Sequence, residues 1–83
     1  MGVRIHPHAR ERLVERGASE AEVIATVETG ETAPAKFGRT MFRRNFAFEG
    51  SWRGRRYANK LVEVYAVQEE GDWLVIKVIT RYY

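Results

Sequence analysis

Residues 56–82 read RYANKLVEVYAVQEEGDWLVIKVITRY, and this stretch decides the fold. Over 56–68 the side chains alternate between two faces, one of them aliphatic. The alternation resumes over 73–82, after the polar sequence EEGD. A period of two is typical of half-buried β-strands, and a polar break containing glycine is typical of the turn between them. The stretch therefore predicts two antiparallel strands.

A third strand is predicted just upstream. Three phenylalanines alternate with smaller or polar residues over about 40–48, and Gly50 to Gly54 reads as the loop to the next strand. We expect the side chains under the helices to include Phe42, Phe46, Val62, Val64, Ile76 and Val78. We expect the opposite face to carry Arg43, Asn45, Glu63, Tyr65, Lys77 and Arg81.

Two helices are predicted before the strands. A proline at the first position and a glycine just past the last one predict a helix over 7–16. Ser19 followed by Glu22 fits a capping box, which predicts a second helix over 19–29. Residues 33–35 read as a break because of their proline. This order predicts an α+β fold, with both N-terminal helices packed on one face of a three- to four-stranded antiparallel sheet.

Length and composition indicate a globular protein. With 83 residues the chain is expected to form a single domain, 1–83, whose core is small enough that a homodimer or a tight partner would stabilise it. The absence of cysteine excludes disulfides and thiolate metal sites. No apolar run approaches the roughly 20 residues that span a membrane, and the N-terminal residues lack the apolar stretch of a signal peptide. We therefore expect a cytoplasmic protein without membrane association.

The net charge of +3 is distributed unevenly. Residues 1–35 and residues 61–83 each carry a charge of −2. Residues 36–60 carry eight basic side chains against Glu49 alone, which gives this segment a charge of +7. Because like charges repel, such a cluster indicates a polyanionic partner such as nucleic acid, or an acidic protein.

Within that segment, residues 48–57 read FEGSWRGRRY and combine arginine, glycine and aromatic residues. Arginine binds phosphate through two parallel hydrogen bonds, and an exposed aromatic ring stacks on an unpaired base. The predicted nucleic-acid contacts here are Trp52, Arg53, Arg55, Arg56 and Tyr57. The alternative is a basic hairpin whose tryptophan folds back into the core.

The first helix carries a candidate for chemistry. His8, Arg12 and Arg16 are spaced four residues apart, so they form one stripe on the helix. An imidazole beside guanidinium groups suits acid–base chemistry at a phosphate. The alternative is a solvated helix face on which Glu11 and Glu15 pair with the arginines.

Glu63 is the second candidate base. We predict it on the polar sheet face with Arg43, Lys77 and Arg81, where it would either accept a proton or form cross-strand ion pairs. The chain has no thiolate ligand, and the carboxylates near its two histidines do not form a convincing ligand set, so no metal ion or other cofactor is predicted.

Short motifs across the chain carry a family resemblance. They are HARERLVERGAS at 8–19, GR at 38–39, WRGR at 52–55, KLVEV at 60–64 and VIKVIT at 75–80. Together they resemble the domain-of-unknown-function family 4258, a prokaryotic family similar in fold to the RelE/ParE and barnase–EndoU–colicin proteins. Many members of that wider fold are ribonucleases or toxins of toxin–antitoxin systems.

The resemblance implies an RNA-directed, toxin-like protein with an acidic, antitoxin-like partner. Carried over by position, the N-terminal histidine of the family is His8, and its accompanying arginines are Arg12 and Arg16. The last predicted strand lacks a histidine, which some ribonucleases of the wider fold place there as their acid.

The residues and the resemblance together predict a metal-independent endoribonuclease. His8 or Glu63 would take the proton of a 2′-hydroxyl, whose oxygen attacks the adjacent phosphate and leaves a 2′,3′-cyclic phosphate. The predicted contacts to the phosphoryl oxygens are Arg12, Arg43, Lys60 and Arg81, with further RNA contacts from Arg16 and Lys77. Two alternatives are a non-catalytic module that holds RNA or a protein through residues 36–60, and a ParE-like inhibitor that binds a protein target.

Overall fold

A five-stranded mixed sheet forms the frame of the protein, whose residues 2–83 are described by a computed structural model. The strands are β1 (Val3–Ile5), β2 (Glu31–Pro34), β3 (Thr40–Trp52), β4 (Arg55–Glu69) and β5 (Asp72–Tyr82). They lie in the order β1-β5-β4-β3-β2. Strand β1 runs parallel to β5, and every other pair of neighbours is antiparallel.

Two helices, α1 (Pro7–Arg16) and α2 (Glu20–Thr29), pack on this sheet, α1 against β5 and α2 against β3 and β4. The predicted α+β class and both helices are confirmed. The predicted sheet of three to four antiparallel strands is wrong, because β1 and β2 add two edges and β1 makes the sheet mixed. These strands have three and four residues, too few to show a clear alternation, and Pro34 is tolerated because β2 is an edge.

Both helices owe their ends to local capping. The His6 ring Nδ1 accepts a hydrogen bond from the His8 backbone N at 3.1 Å, and α1 ends at Gly17 in the left-handed conformation with φ 71°. At the start of α2, Ser19 and Glu22 form the predicted capping box through hydrogen bonds of 3.1 and 2.9 Å. The caps place the end of α1 and the start of α2 beside each other on the sheet.

Two tight turns join the three long strands. The residues at each turn have positive φ, 51° and 83° at Arg53–Gly54 and 52° and 82° at Glu70–Gly71, as hairpin turns of the I′ type require. Strand β3 therefore continues beyond the predicted end at residue 48, and the loop predicted from Gly50 to Gly54 is only the turn at Arg53–Gly54. An extra residue between Ala47 and Gly50 bulges the strand and hides its continuation in the sequence.

The core lies between the helices and the sheet. Its buried side chains are Ile5, Ala9, Leu13, Ala18, Val23, Val27, Phe42, Val62, Val64, Ala66, Val75 and Val78. Phe46 is partly buried against it, as predicted. The prediction for Ile76 is wrong: the register shifts by one residue opposite Tyr65 and Ala66, so Val75 takes the buried position. No helix within residues 2–83 is long and apolar enough to cross a membrane.

Candidate anion-binding site

A cavity of about 220 Å³ opens between α1, β5 and the residue that precedes β3. Its titratable lining residues are His8, Arg12, Arg16, Arg39 and Lys77, and we call it the cationic cavity. The rest of its lining is apolar and consists of Ala9, Ile76 and Val78. Among the described residues, no carboxylate lines it. A concave surface lined by one sign of charge concentrates the potential that attracts anions.

The end of α1 is fixed to β5 by its last carbonyl group. The hydroxyls of Thr80 and Tyr82 both donate to the Arg16 carbonyl oxygen, the second across 3.2 Å. Because His8 and Arg12 precede Arg16 by two turns and one turn, the whole predicted stripe is carried to one side of β5. Lys77 projects from β5 into the same cavity.

Three of the cavity's cations lack a carboxylate partner. Arg16, Arg39 and Lys77 have no carboxylate oxygen within 4.0 Å in the part of the chain that the structure describes. The Nε of Arg16 is also buried without a hydrogen-bond partner among residues 2–83. A buried N–H group without an acceptor costs free energy.

Arg12 is the exception, since its Nε lies 3.7 Å from Glu15 Oε2. Both side chains are more than half exposed, and an exposed pair one helical turn apart stabilises little. Arg12 can therefore leave Glu15 for a phosphate at small cost. The predicted alternative, a helix face of paired charges, describes Arg12 but not Arg16.

A second cavity, of about 410 Å³, adjoins the first through shared lining residues. We call it the aromatic cavity, because the rings of Phe37 and Tyr65 line it together with Met41. Arg39 and Lys77 line both cavities. They lie over the two rings, with Arg39 Cζ 5.5 Å from the Phe37 centroid and Lys77 Nζ 5.8 Å from the Tyr65 centroid.

Lys60, predicted to contact phosphate, lies under the helices instead. It is 5% exposed, and its Nζ donates to the Gly17 carbonyl oxygen and to Glu22 Oε1, each at 2.8 Å. Burial raises the pKa of Glu22, but the hydrogen bond and charge of Lys60 and the hydrogen bonds to Ser19 outweigh it, so the pKa is lowered overall. Lys60 thus holds the junction of α1 and α2 on β4.

The aromatic residues of the basic hairpin fold back onto the protein. The Trp52 ring stacks on Tyr82 with centroids 5.0 Å apart, and Tyr57 lies 5.6 Å from the same ring. Arg53 donates to the Glu15 carbonyl oxygen at 3.1 Å, at the end of α1. Burial raises the pKa of Tyr82, and the charge of Glu22 adds to this effect. The alternative interpretation of Trp52, as a packed ring, fits this geometry.

Arg55 and Arg56 are exposed, as is Arg53 before them. Arg55 Cζ lies 5.7 Å from the Tyr57 ring centroid, and Arg56 lines a shallow opening together with Glu49. Neither arginine lines the cationic cavity. Arg55 and Arg56 therefore lie outside the cavity that holds the helix stripe, although Arg53 of the same hairpin contacts the end of α1.

Glu63 lies on the sheet face opposite the helices and is only 9% exposed. Its register partner on β3 is Arg43, and its Oε1 lies 3.4 Å from the Nε of Arg81. Arg43 also lies 3.9 Å from Glu31. This is the predicted cross-strand ion pairing, and it leaves Glu63 outside the lining of the cationic cavity.

The structure thus brings four predicted site residues together and keeps the others apart. The residues that share the cationic cavity are His8, Arg12, Arg16 and Lys77. Those outside it are Arg43, Trp52, Arg53, Arg55, Arg56, Tyr57, Lys60, Glu63 and Arg81. Within residues 2–83, no three histidine or acidic side chains group as metal ligands would.

Arg39 is a site residue that the sequence pattern did not single out. It belongs to the basic segment, and its position two residues before Met41 puts it on the same face of the chain as Arg43. Extending the strand alternation one residue upstream would have indicated this face. Arg39 approaches Lys77 only through the pairing of the sheet strands, so the residues next to Arg39 in the sequence do not predict this approach.

Comparison with protein-family models, with curated proteins and with solved structures finds no match for this chain. The resemblance to family 4258 therefore stays a prediction, and the cationic cavity has to be interpreted from its own geometry.

Proposed function

We propose that the protein seats a phosphodiester of RNA in the cationic cavity and cleaves it, with His8 as the general base. The observation that carries this proposal is one imidazole and four cationic side chains around a single cavity without a lining carboxylate. Guanidinium groups bind phosphate oxygens through paired hydrogen bonds, and an ammonium group acts as a point charge. The two kinds of cation therefore suit one phosphate together.

The reaction follows from these groups. His8 accepts the proton of the 2′-hydroxyl as the 2′-oxygen forms a bond to phosphorus. The bond from phosphorus to the 5′-oxygen breaks, that oxygen takes a proton from water, and the imidazolium returns its proton to the solvent. The products are a 2′,3′-cyclic phosphate and a free 5′-hydroxyl. Negative charge grows on the phosphoryl oxygens during the attack, where Arg12, Arg16, Arg39 and Lys77 stabilise it.

The proposal assigns the base to His8 rather than to Glu63. His8 is exposed and lines the cationic cavity, whereas Glu63 is buried beside Arg81 and does not line that cavity. Lys60 is not assigned a catalytic role, because its ammonium group is occupied by Gly17 and Glu22.

A toxin-like role, a RelE-like classification of the fold and a cytoplasmic location belong to the same proposal. They are supported by the family resemblance and by the packing of the N-terminal helices on a sheet. An acidic, antitoxin-like protein would inhibit the reaction by placing its carboxylates on the cations that otherwise hold phosphate.

The test is cleavage of a labelled single-stranded RNA by the full chain in the presence of EDTA. We expect fragments ending in 2′,3′-cyclic phosphate, loss of cleavage in His8→Ala, and a large reduction in Arg12→Gln. Arg10→Gln is the matched control, because Arg10 lies on the same helix but pairs with Glu20 and does not line the cavity. Absence of cleavage, or full activity of His8→Ala, would show that the proposed reaction is wrong.

A non-catalytic binding function is the second candidate, and the exposure of Arg55 and Arg56 favours it. In that case RNA is bound but not cut, and Arg55→Gln with Arg56→Gln weakens binding more than Arg12→Gln does. For single strands the slope of log affinity against log salt falls by about 0.7 for each phosphate group that the protein no longer neutralises. Comparing the slopes of the two variants identifies which basic surface holds the RNA.

A further inference from the structure

The aromatic cavity is large, exposed and not used by the proposed reaction. Its volume of about 410 Å³ lies within the range of about 300–1,000 Å³ that is usual for ligand pockets. Phe37 on its rim is 84% exposed, which is unusual for a ring of this size. The proposed cleavage at phosphate does not explain why this cavity and the exposed Phe37 ring are present.

The backbone at Phe37 is strained. Its φ of 64° and ψ of 33° are left-handed, a conformation that bulky side chains rarely adopt. The strain presents the ring to solvent within a short 3₁₀ turn, Lys36–Gly38, between β2 and β3. Strained residues of this kind concentrate at binding sites, where the strain maintains a geometry that a ligand uses.

The chemistry of the cavity indicates a planar aromatic ligand attached to an anion. Phe37 and Tyr65 offer ring faces for stacking, and Met41 adds an adaptable apolar contact. Arg39 and Lys77 line this cavity and also the cationic cavity, so one ligand can place a ring in the first and a phosphate in the second. A nucleotide has this combination of groups.

We propose that the aromatic cavity binds one unpaired nucleobase of the RNA whose phosphate occupies the cationic cavity. This inference rests on the proposed phosphate site and specifies its substrate as single-stranded RNA. A base in a duplex is stacked and paired, so it reaches such a cavity only after leaving the helix. The same RNA annealed to its complement is then protected.

The test compares the affinity of the full chain for guanosine 3′-monophosphate with that for inorganic phosphate, both measured by calorimetry. We expect the nucleotide to bind about 5- to 150-fold more tightly, the range that stacking of one base on an aromatic side chain provides. Phe37→Ala should remove most of this advantage and leave phosphate affinity within about twofold. Phe37→Trp should retain it.

Tyr83→Ala is the matched control, since Tyr83 is another exposed aromatic residue, 57% accessible, that does not line the aromatic cavity. Equal affinities for nucleotide and phosphate, or an unchanged nucleotide affinity in Phe37→Ala, would overturn the inference even if RNA is cleaved. A nucleotide advantage that depends on Phe37 supports it even if no cleavage is observed. The two proposals therefore fail separately.

Discussion

Replacing Lys60 with methionine tests whether this lysine holds the fold or contacts RNA. Its ammonium group makes two hydrogen bonds of 2.8 Å, to the Gly17 carbonyl oxygen and to Glu22 Oε1. Hydrogen bonds of charged groups contribute about 1.5–3 kcal/mol each. Methionine keeps most of the apolar stem of the side chain but leaves both acceptors without this donor.

The full loss of both bonds is an upper limit. The Glu22 side chain is 23% exposed and keeps its hydrogen bond from the Ser19 backbone N, so it regains some water. Removing Lys60 also removes the cost of burying an ammonium group. We therefore expect Lys60→Met to lower the free energy of unfolding by about 2–3 kcal/mol, and Tm by about 10–20 °C for a domain of this size.

The assay is urea unfolding followed by circular dichroism, together with RNA binding measured per folded molecule. Lys77→Met is the matched control. Because Lys77 is exposed, the free energy of unfolding of this variant should differ from that of the native protein by less than about 0.5 kcal/mol, while its RNA binding falls. The reasoning is refuted if Lys60→Met costs less than about 0.5 kcal/mol, or if it abolishes RNA binding with unchanged stability.

Two further predictions concern the same junction. The pKa of Glu22 in the folded state is lowered from 4.5, so the ionised Glu22 side chain contributes its full stabilisation above pH 4.5. This stabilisation is lost as the pH falls through the lowered pKa. Urea unfolding across the acid range should show the loss in the native chain and much less of it in Lys60→Met. Gly17→Ala should cost about 2–4 kcal/mol in urea unfolding, because φ is 71° and the new Cβ would lie 2.7 Å from the Trp52 ring. Gly38→Ala, with φ 70° and no atom within 4 Å of the new Cβ, should cost only about 1 kcal/mol, and equal losses would contradict the steric argument.

Local signals predicted the parts of the fold that depend on neighbouring residues. The capping box of Ser19 and the glycine end of α1 act within a few residues, so the sequence displays them directly. Strand β1 is different, because Val3 pairs with Trp73 across the whole chain. The continuation of β3 was missed because Gly50 and the bulge before it resemble a turn.

The part of the candidate site that lies on one helix was predictable from the sequence, and the part that depends on packing between elements was not. The stripe of His8, Arg12 and Arg16 follows from helical spacing, and its approach to Lys77 requires α1 to dock on β5. The role of Lys60 could not be read from its surroundings in the sequence, because its partners lie 43 and 38 residues away.

The pairing of β1 with β5 also sets when the site can exist during synthesis. Val3 leaves the ribosome early, but its parallel partner Trp73 follows 70 residues later. Before β5 emerges, strands β3 and β4 can already form a hairpin, but α1 has no β5 on which to dock. Because His8 lies on α1 and Lys77 lies on β5, we expect a nascent chain to lack the cationic cavity until β5 has emerged. Until then, the side chains of α1 and β5 that line the cavity are not held together.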